Sequence, residues 1–265
     1  MVTLVLAVFL AMPSFAKYAP DVKVGEELKK EVRGGQMSLR KLSKKVRWAL
    51  MAEVLALCYQ SKGQPAYGKS VFHKKEKISY YPVRQGSRFI GADGVEYGWC
   101  EIVHGKSSKE YPEWVKVKQA MEHAGVHAVL KDFPEEVTSL CRQTAARRIA
   151  RMPEVMQDAF FAEMFGLYYV PDGSSAYLSR KKGGVNGSDM ELEFWQVSDD
   201  ACFVDRRGQK QRVAEMIAMR DKKDAATRRA WIQAMLCCQL IGKKDALEDF
   251  ADVVRKLKKK APHQK

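Results

Sequence analysis

The sequence predicts a mostly helical α+β protein in which a small antiparallel β-meander lies between N-terminal and C-terminal helical segments. Hydrophobic residues make up 46% of the 265 residues, which is enough for a globular core. Apolar residues recur at three- and four-residue spacing over much of the chain, as they do in amphipathic helices. Between Lys77 and His104 the pattern changes to runs of aromatic and branched residues, which indicate strands.

The first predicted helix begins at Ser38, which can act as its N-cap, and continues to about Gln60. Its apolar residues fall on one face. They are Leu42, Val46, Ala49, Leu50, Val54 and Leu57. Its first turns also carry five basic residues, namely Arg40, Lys41, Lys44, Lys45 and Arg47. We therefore expect a helix with one face in the core and a basic ridge on the other.

Three strands are expected to follow, at Ile78–Val83, Arg88–Gly91 and Val95–Val103. The turn between the last two is supplied by Ala92-Asp93-Gly94. Further helices are predicted from Pro112 to about 125, over 134–152 and over 153–168. Residues 171–189 are rich in glycine and predict a flexible basic loop. Short strands at 191–197 and 201–204 precede final helices near 209–222, 225–241 and 245–259. We find no internal repeat in the sequence.

The net charge of +14 is confined to two parts of the chain. Residues 17–65 contain 11 Lys and Arg against 5 Asp and Glu, and residues 206–265 contain 17 against 7. Residues 66–205 are close to neutral. We therefore divide the chain into an apolar N-terminal segment (1–16), a basic amphipathic helical segment (17–65), a neutral α+β body (66–205) and a basic helical C-terminal segment with a Lys-rich tail (206–265). Such asymmetry points to an anionic partner.

The N-terminal segment and the cysteines point to different compartments. Residues 1–16 are almost entirely apolar and end in Ser14-Phe15-Ala16, which fits a signal-peptidase site. No Lys or Arg precedes the apolar run, so a buried helix stays open. The six cysteines lie mostly in apolar helical contexts, which are typical of free core thiols. We expect a mitochondrial or other organellar interior; the alternative is a secretory or periplasmic protein whose signal peptide is cleaved.

Residues 63–70 match the phosphate-binding-loop pattern G-x-x-x-x-G-K-[ST] in full. Its defining residues are Gly63, Gly68, Lys69 and Ser70. In such a loop backbone amides cradle the phosphates, the lysine neutralises them and the hydroxyl binds magnesium. The loop must follow a buried strand and begin a helix, but here a predicted helix precedes it and strands follow. A P-loop NTPase or kinase is therefore the second alternative function.

No pattern in the sequence indicates a metal site, a cofactor or a catalytic nucleophile. His123 and His127 are four residues apart, but Gly125 lies between them and no third ligand is near. Cys100 and His104 also lack zinc-finger spacing, and there is no G-x-S-x-G elbow. We therefore expect no enzyme activity, no cofactor and no small-molecule substrate.

The basic residues offer a better mechanism, because clustered Lys and Arg bind phosphates through counterion release. Besides the residues of the first helix, the predicted nucleic-acid-binding residues are Arg206, Arg207, Lys210, Arg212, Arg228, Arg229, Lys256, Lys258, Lys259 and Lys260. No sequence-reading motif accompanies them, so we expect contacts to the RNA backbone rather than to bases.

These observations predict a non-catalytic, RNA-contacting structural subunit or assembly factor of a large ribonucleoprotein complex, such as a mitochondrial or other organellar ribosome. Its partners are RNA and the protein subunits of the assembly. Tyr111-Pro112-Glu113-Trp114 is similar to a short phrase of one mitochondrial large-subunit protein family, although four residues do not identify that family. The first alternative is an exported basic protein that binds a membrane surface, polyanions or a partner protein.

Overall fold

The computed structural model describes residues 5–6, 25–104, 109–172, 174–184, 191–223 and 225–262. It confirms the mostly helical α+β fold, with strands in short antiparallel pairs. The predicted N-terminal segment (1–16) lies outside the described residues except for strand β1 (Val5–Leu6). The chain forms two compact units: an N-terminal unit within Pro13–Thr144 and a C-terminal unit within Ala145–Val185 and Asp189–Lys265. The charge-based segments do not follow this division, which falls inside a helix.

The N-terminal unit packs helices around two β-hairpins. Its elements are α1 (Glu26–Lys41), α2 (Lys44–Val54), β2 (Val71–His73), β3 (Ile78–Tyr80), β4 (Arg88–Ile90), β5 (Glu96–Gly98), α3 (Trp99–His104), α4 (Glu110–Ala124), α5 (Val126–Leu130) and the start of α6 (Pro134–Ala150). The largest fully buried side chains here include Leu39, Leu50, Met51, Leu55, Tyr59 and Phe89. The unit therefore has a core of its own.

The single helix predicted from Ser38 to about Gln60 is wrong, because the chain breaks between α1 and α2. Leu42 takes an extended conformation with ψ 141° and is buried, so the chain turns to place it in the core. Ser38 lies buried inside α1 instead of capping a helix. The five basic residues of the predicted helix are therefore divided between the end of α1 and the start of α2.

The predicted strands form hairpins instead of a meander. β2 pairs with β3 and β4 pairs with β5, each as a separate two-stranded sheet. The strand predicted over Val95–Val103 ends at Gly98, and α3 begins at Trp99. A Cβ atom on Gly98 would lie 2.6 Å from the carboxyl carbon of Glu101, which is the far end of a flexible side chain.

The C-terminal unit contains one longer β-hairpin, one short β-hairpin and several helices. Its elements are the end of α6, α7 (Glu154–Met164), β6 (Tyr177–Gly184), β7 (Glu191–Val197), β8 (Cys202–Val204), β9 (Lys210–Arg212), α8 (Val213–Lys223), α9 (Ala225–Ile241), α10 (Lys243–Ala246) and α11 (Ala251–Lys260). β7 lies between β1 and β6, and β8 pairs with β9. A short 3-10 turn at Glu248–Phe250 precedes α11. The predicted helix over 225–241 and the predicted strand over 191–197 are confirmed.

The flexible loop predicted over 171–189 is wrong for its described part, because β6 occupies Tyr177–Gly184. Gly183 pairs with Leu192 across the hairpin. A Cβ atom on Gly183 would lie 2.6 Å from the ring of Phe194. This glycine therefore makes room for an aromatic ring in the sheet and does not mark flexibility.

The two units repeat one order of elements with matching hydrogen bonds. The backbone of Tyr59 exchanges hydrogen bonds with Arg88, and Tyr169 does the same with Cys202. The hairpins β4–β5 and β8–β9 share one register. Gly125 (φ 86°, ψ 149°) follows α4, and Gly242 (φ 89°, ψ 150°) follows α9. The backbone therefore follows the same path in both units.

The sequence carries the same repeat once the units are aligned, with 44–67 matching 154–177. The identical pairs in this stretch are Ala49 and Ala159, Ala52 and Ala162, Glu53 and Glu163, Leu57 and Leu167, Tyr59 and Tyr169, Gly63 and Gly173, Ala66 and Ala176, and Tyr67 and Tyr177. Trp114 on α4 matches Trp231 on α9. A longer β6–β7 hairpin then changes the spacing. The fold is thus an internal repeat that the sequence analysis missed.

Candidate nucleic-acid interface

The basic residues near the α1–α2 junction are mostly engaged within the N-terminal unit. Three of the five form ion pairs: Arg40 with Asp132 at 3.6 Å, Lys41 with Glu113 at 3.3 Å and Arg47 with Glu136 at 3.0 Å. Glu136 also accepts a hydrogen bond from the Trp48 indole at 3.0 Å. Lys44 and Lys45 are exposed and lie over the rings of Trp48 and Tyr97. Three of the five basic side chains therefore stabilise contacts within the N-terminal unit.

Arg206 is used inside the C-terminal unit. Its Nε donates to Asp158 Oδ1 at 2.6 Å, its backbone N–H donates to Asp158 Oδ2 at 2.9 Å, and a guanidinium nitrogen donates to Gln157 at 3.1 Å. Asp158 is only 1% exposed. Burial raises the pKa of Asp158 against the lowering effect of these Arg206 contacts. Arg206 therefore holds the β8–β9 turn, and its head group is not free for phosphate.

The neighbouring basic residues of the β8–β9 hairpin face solvent. Arg207 is 69% exposed and pairs with the surface residue Glu154 at 3.1 Å. Lys210 and Arg212 lie two residues apart on β9 and are both exposed, so they share one face of the strand. Lys210 also lies 5.8 Å from the centre of the Tyr169 ring. This face can contact phosphates.

The last helix presents the densest positive surface of the predicted set. Val254 and Leu257 bury one side of α11, which leaves Lys256, Lys258, Lys259 and Lys260 exposed. Lys260 Nζ donates to the carbonyl of Arg206 at 2.6 Å and so reaches the β8–β9 turn. Lys258 Nζ lies 4.3 Å from the centre of the Phe165 ring.

One basic residue of this surface was missed by the sequence analysis. Lys243 begins α10, donates to the carbonyl of Met164 at 2.5 Å and lies 5.6 Å from the centre of the Phe165 ring. Burial lowers the pKa of Lys243, and the charge of Lys258 lowers it further. The sequence shows a lysine pair after Gly242 but not its approach to the end of α7. We call Lys243, Lys256, Lys258, Lys259 and Lys260 the α11 basic cluster.

Arg228 and Arg229 begin α9 and differ in exposure. Arg228 is 59% exposed and lies 3.9 Å from Asp221. Arg229 is half-buried, and burial lowers its pKa, with a smaller effect from the charge of Arg148. Arg228 can therefore extend the basic surface, whereas Arg229 has less access to a partner.

The residues of the phosphate-binding-loop pattern lie in an irregular segment between the Tyr59 bridge and β2. No helix begins directly after Ser70, because strand β2 begins at Val71. The backbone N–H of Gly68 donates to the carbonyl of Pro82 at 2.8 Å, so it does not point into an open phosphate cradle. Lys69 and Ser70 are exposed. The strand–loop–helix context of such a loop is missing here.

Within the described parts of the chain, no three His, Cys, Asp or Glu side chains are placed to hold a metal ion. None of the described helices is long and apolar enough to cross a membrane. Cys58, Cys141, Cys202, Cys237 and Cys238 are buried free thiols, which agrees with the core positions predicted from their apolar contexts. Comparison of the chain with protein-family models, curated proteins and solved structures finds no match.

Proposed function

We propose that this chain is a non-catalytic, RNA-contacting structural subunit or assembly factor of a large ribonucleoprotein complex, such as a mitochondrial or other organellar ribosome. The observation that carries the proposal is the α11 basic cluster, together with Lys210 and Arg212 on β9. Both belong to the C-terminal unit. The protein subunits of that complex are the second class of partner.

The proposed contacts are to phosphates. Lys256 and Lys259 are exposed and form no ion pair among the described residues. An ammonium group that lacks an acidic partner can replace a condensed counterion on RNA without first breaking an internal ion pair. Lys258 and Lys243 approach the same ring, and an anion between them would relieve their repulsion. Binding would therefore follow the backbone and shape of the RNA.

The change that tests this proposal is Lys256→Ala combined with Lys259→Ala, in the full chain. We expect weaker binding to single-stranded RNA, with the slope of log K against log salt reduced by about 0.7 for each phosphate that the variant no longer neutralises. The measurement is filter binding at several salt concentrations. Thermal unfolding should change little, because neither side chain is buried.

The matched control is Lys74→Ala combined with Lys75→Ala. These two exposed lysines lie in the β2–β3 turn of the N-terminal unit, which is not part of the proposed surface. The slope of log K against log salt should therefore be the same in this variant as in the parent chain. Equal effects of the two double variants would contradict a specific surface, as would salt-independent binding by the parent chain. Binding to anionic lipid vesicles but not to RNA would favour the exported alternative instead.

A further inference from the structure

A cavity of about 300 Å³ opens in the N-terminal unit. Its volume is at the lower end of the range for small-molecule sites, so a nucleoside-sized ligand would fit. Its wall combines aromatic rings with two pairs of polar side chains, Glu53 with Lys118 and Glu76 with His73. The lining includes Glu53, Tyr80, Trp99, Tyr111, Trp114 and Lys118.

Two buried polar atoms of this wall have no hydrogen-bond partner among the described residues, namely Glu53 Oε2 and Trp99 Nε1. The Glu53 side chain is 7% exposed, and its Oε1 accepts a hydrogen bond from Lys118 Nζ at 2.6 Å. Buried polar atoms are nearly always satisfied by protein, water or ligand. A carboxylate oxygen and an indole N–H of this wall are therefore left for a water molecule or a ligand to satisfy.

The polar atoms of Glu53 and Lys118 present a defined order of hydrogen-bonding groups. The order is acceptor, acceptor, donor, formed by Glu53 Oε2, Glu53 Oε1 and Lys118 Nζ. Glu53 Oε1 already accepts from Lys118 but has a further lone pair for a second hydrogen bond. The Watson–Crick edge of guanine presents the complementary order, with the N2 amino donor, the N1–H donor and the O6 acceptor. Adenine and cytosine place a ring-nitrogen acceptor beside their amino group, which would face a carboxylate oxygen.

The aromatic residues supply apolar surfaces suited to a planar ring. Trp99 and Trp114 meet edge to face with ring centres 6.4 Å apart. Lys118 Nζ lies 4.8 Å from the centre of the Tyr80 ring, which orients the ammonium group at the wall. Stacking on aromatic side chains stabilises bound bases in single-strand sites.

The repeat provides an internal comparison. Glu163 is the counterpart of Glu53 in the C-terminal unit and is fully buried. The counterparts of Lys118 and Trp99 are Met235 and Val213. Neither of these can donate a hydrogen bond. The buried glutamate therefore belongs to the shared fold, whereas Lys118 and Trp99 are particular to the N-terminal unit.

We propose that this cavity binds the guanine base, through Glu53 and Lys118 at its Watson–Crick edge and with the aromatic wall against its ring. The base can come from a free guanine nucleoside or from an unstacked guanine in RNA. This inference goes beyond the proposed RNA contact and does not rest on it.

The test uses the full chain and measures quenching of tryptophan fluorescence, checked by calorimetry. Guanosine should bind with a dissociation constant below about 1 mM. Inosine lacks the 2-amino group and should bind at least about tenfold more weakly, because one hydrogen bond of the bidentate pair is lost. Adenosine should not compete.

Two variants test whether guanosine binding can be lost while the chain still folds. Glu53→Gln and Lys118→Met should each weaken guanosine binding at least about tenfold, and the second copies the side chain found at Met235. The control is Lys116→Met on the same helix, which is exposed and should bind guanosine as the parent does. Circular dichroism must show the parent helix content in every variant compared. A folded Lys118→Met chain that binds guanosine normally would overturn the proposal.

A second binding experiment, with RNA oligonucleotides, shows whether the cavity binds a free guanine nucleoside or a guanine in RNA. A single-stranded RNA with one guanine is compared with the same RNA carrying inosine. If free guanosine fails to bind but the guanine RNA binds about tenfold more tightly than the inosine RNA, and Lys118→Met removes the difference, the source is RNA. If neither form of guanine is distinguished from inosine, the proposal is wrong. Loss of salt-dependent binding in the α11 double variant would leave this result unchanged, so the two proposals fail separately.

Discussion

Replacing Trp231 by alanine is expected to lower the free energy of unfolding by about 3–5 kcal/mol, the usual cost of removing a large buried aromatic side chain. Trp231 is 2% exposed and packs edge to face on Phe160 with ring centres 5.2 Å apart. The guanidinium of Arg220 lies 5.3 Å from the centre of its ring. Alanine would leave a cavity at the centre of the C-terminal unit. Urea unfolding followed by circular dichroism measures the loss.

Two further variants calibrate this result. Trp231→Phe keeps most of the ring and removes an indole N–H that has no partner among the described residues, so it should cost less than alanine. Leu178→Ala changes a side chain that is 63% exposed on β6 and should have almost no effect. A Trp231→Ala loss as small as that of Leu178→Ala would contradict the central position of this tryptophan.

Replacing Asp158 by alanine is expected to lower the free energy of unfolding by about 3 kcal/mol, the low end for breaking a buried ion pair, because Arg206 keeps partial access to solvent. The change removes the acceptor of the Arg206 backbone N–H and of its Nε. Asp158→Asn should cost less, because burial already raises the pKa of this carboxyl and a neutral amide keeps one acceptor oxygen. Chemical denaturation of the three proteins at neutral pH gives the comparison.

The control for Asp158 is Asp252→Ala on α11, which removes a surface ion pair with Arg255 from a side chain that is 82% exposed. Exposed pairs add little to stability, so this variant should unfold like the parent. Similar losses for Asp158→Ala and Asp252→Ala would show that the Arg206 contacts do not hold the β8–β9 turn.

The sequence predicted long elements well where one local pattern dominates. The helix α9 and the strand β7 have the predicted bounds, because each is a continuous periodic or alternating run. Predictions were wrong where tertiary contacts determine the backbone conformation. Leu42 leaves the helical conformation to reach the core, and Gly183 lies in a strand because the ring of Phe194 needs the space.

The repeat was hidden for a similar reason. Its identical residues occur in ones and twos along the aligned stretch, and the longer β6–β7 hairpin shifts the spacing between the matching segments. Positions such as Ala56 and Gly166 share a positive φ with different residue types. The two units are therefore more similar in backbone conformation and hydrogen bonding than in residue identity.

For the candidate interface, the sequence located the charge but not its internal partners. Arg47 and Arg206 were predicted to bind RNA, and their acidic partners come from distant parts of the chain, 89 and 48 residues away. Such pairs are set by the tertiary fold. The lysines of α11 are exposed as expected from the sequence. Val254 and Leu257 are three residues apart, a spacing that places both on one apolar side of a helix and leaves the lysines on the other.

The most direct test of the central claim is UV cross-linking of the full chain to 4-thiouridine-labelled single-stranded RNA, followed by mass spectrometry of the linked peptides. We expect cross-links in the peptides that contain α11 and β9, and their loss in the variant that replaces Lys256 and Lys259. Cross-links confined to peptides from the β2–β3 turn, or retained in full by that variant, would contradict it.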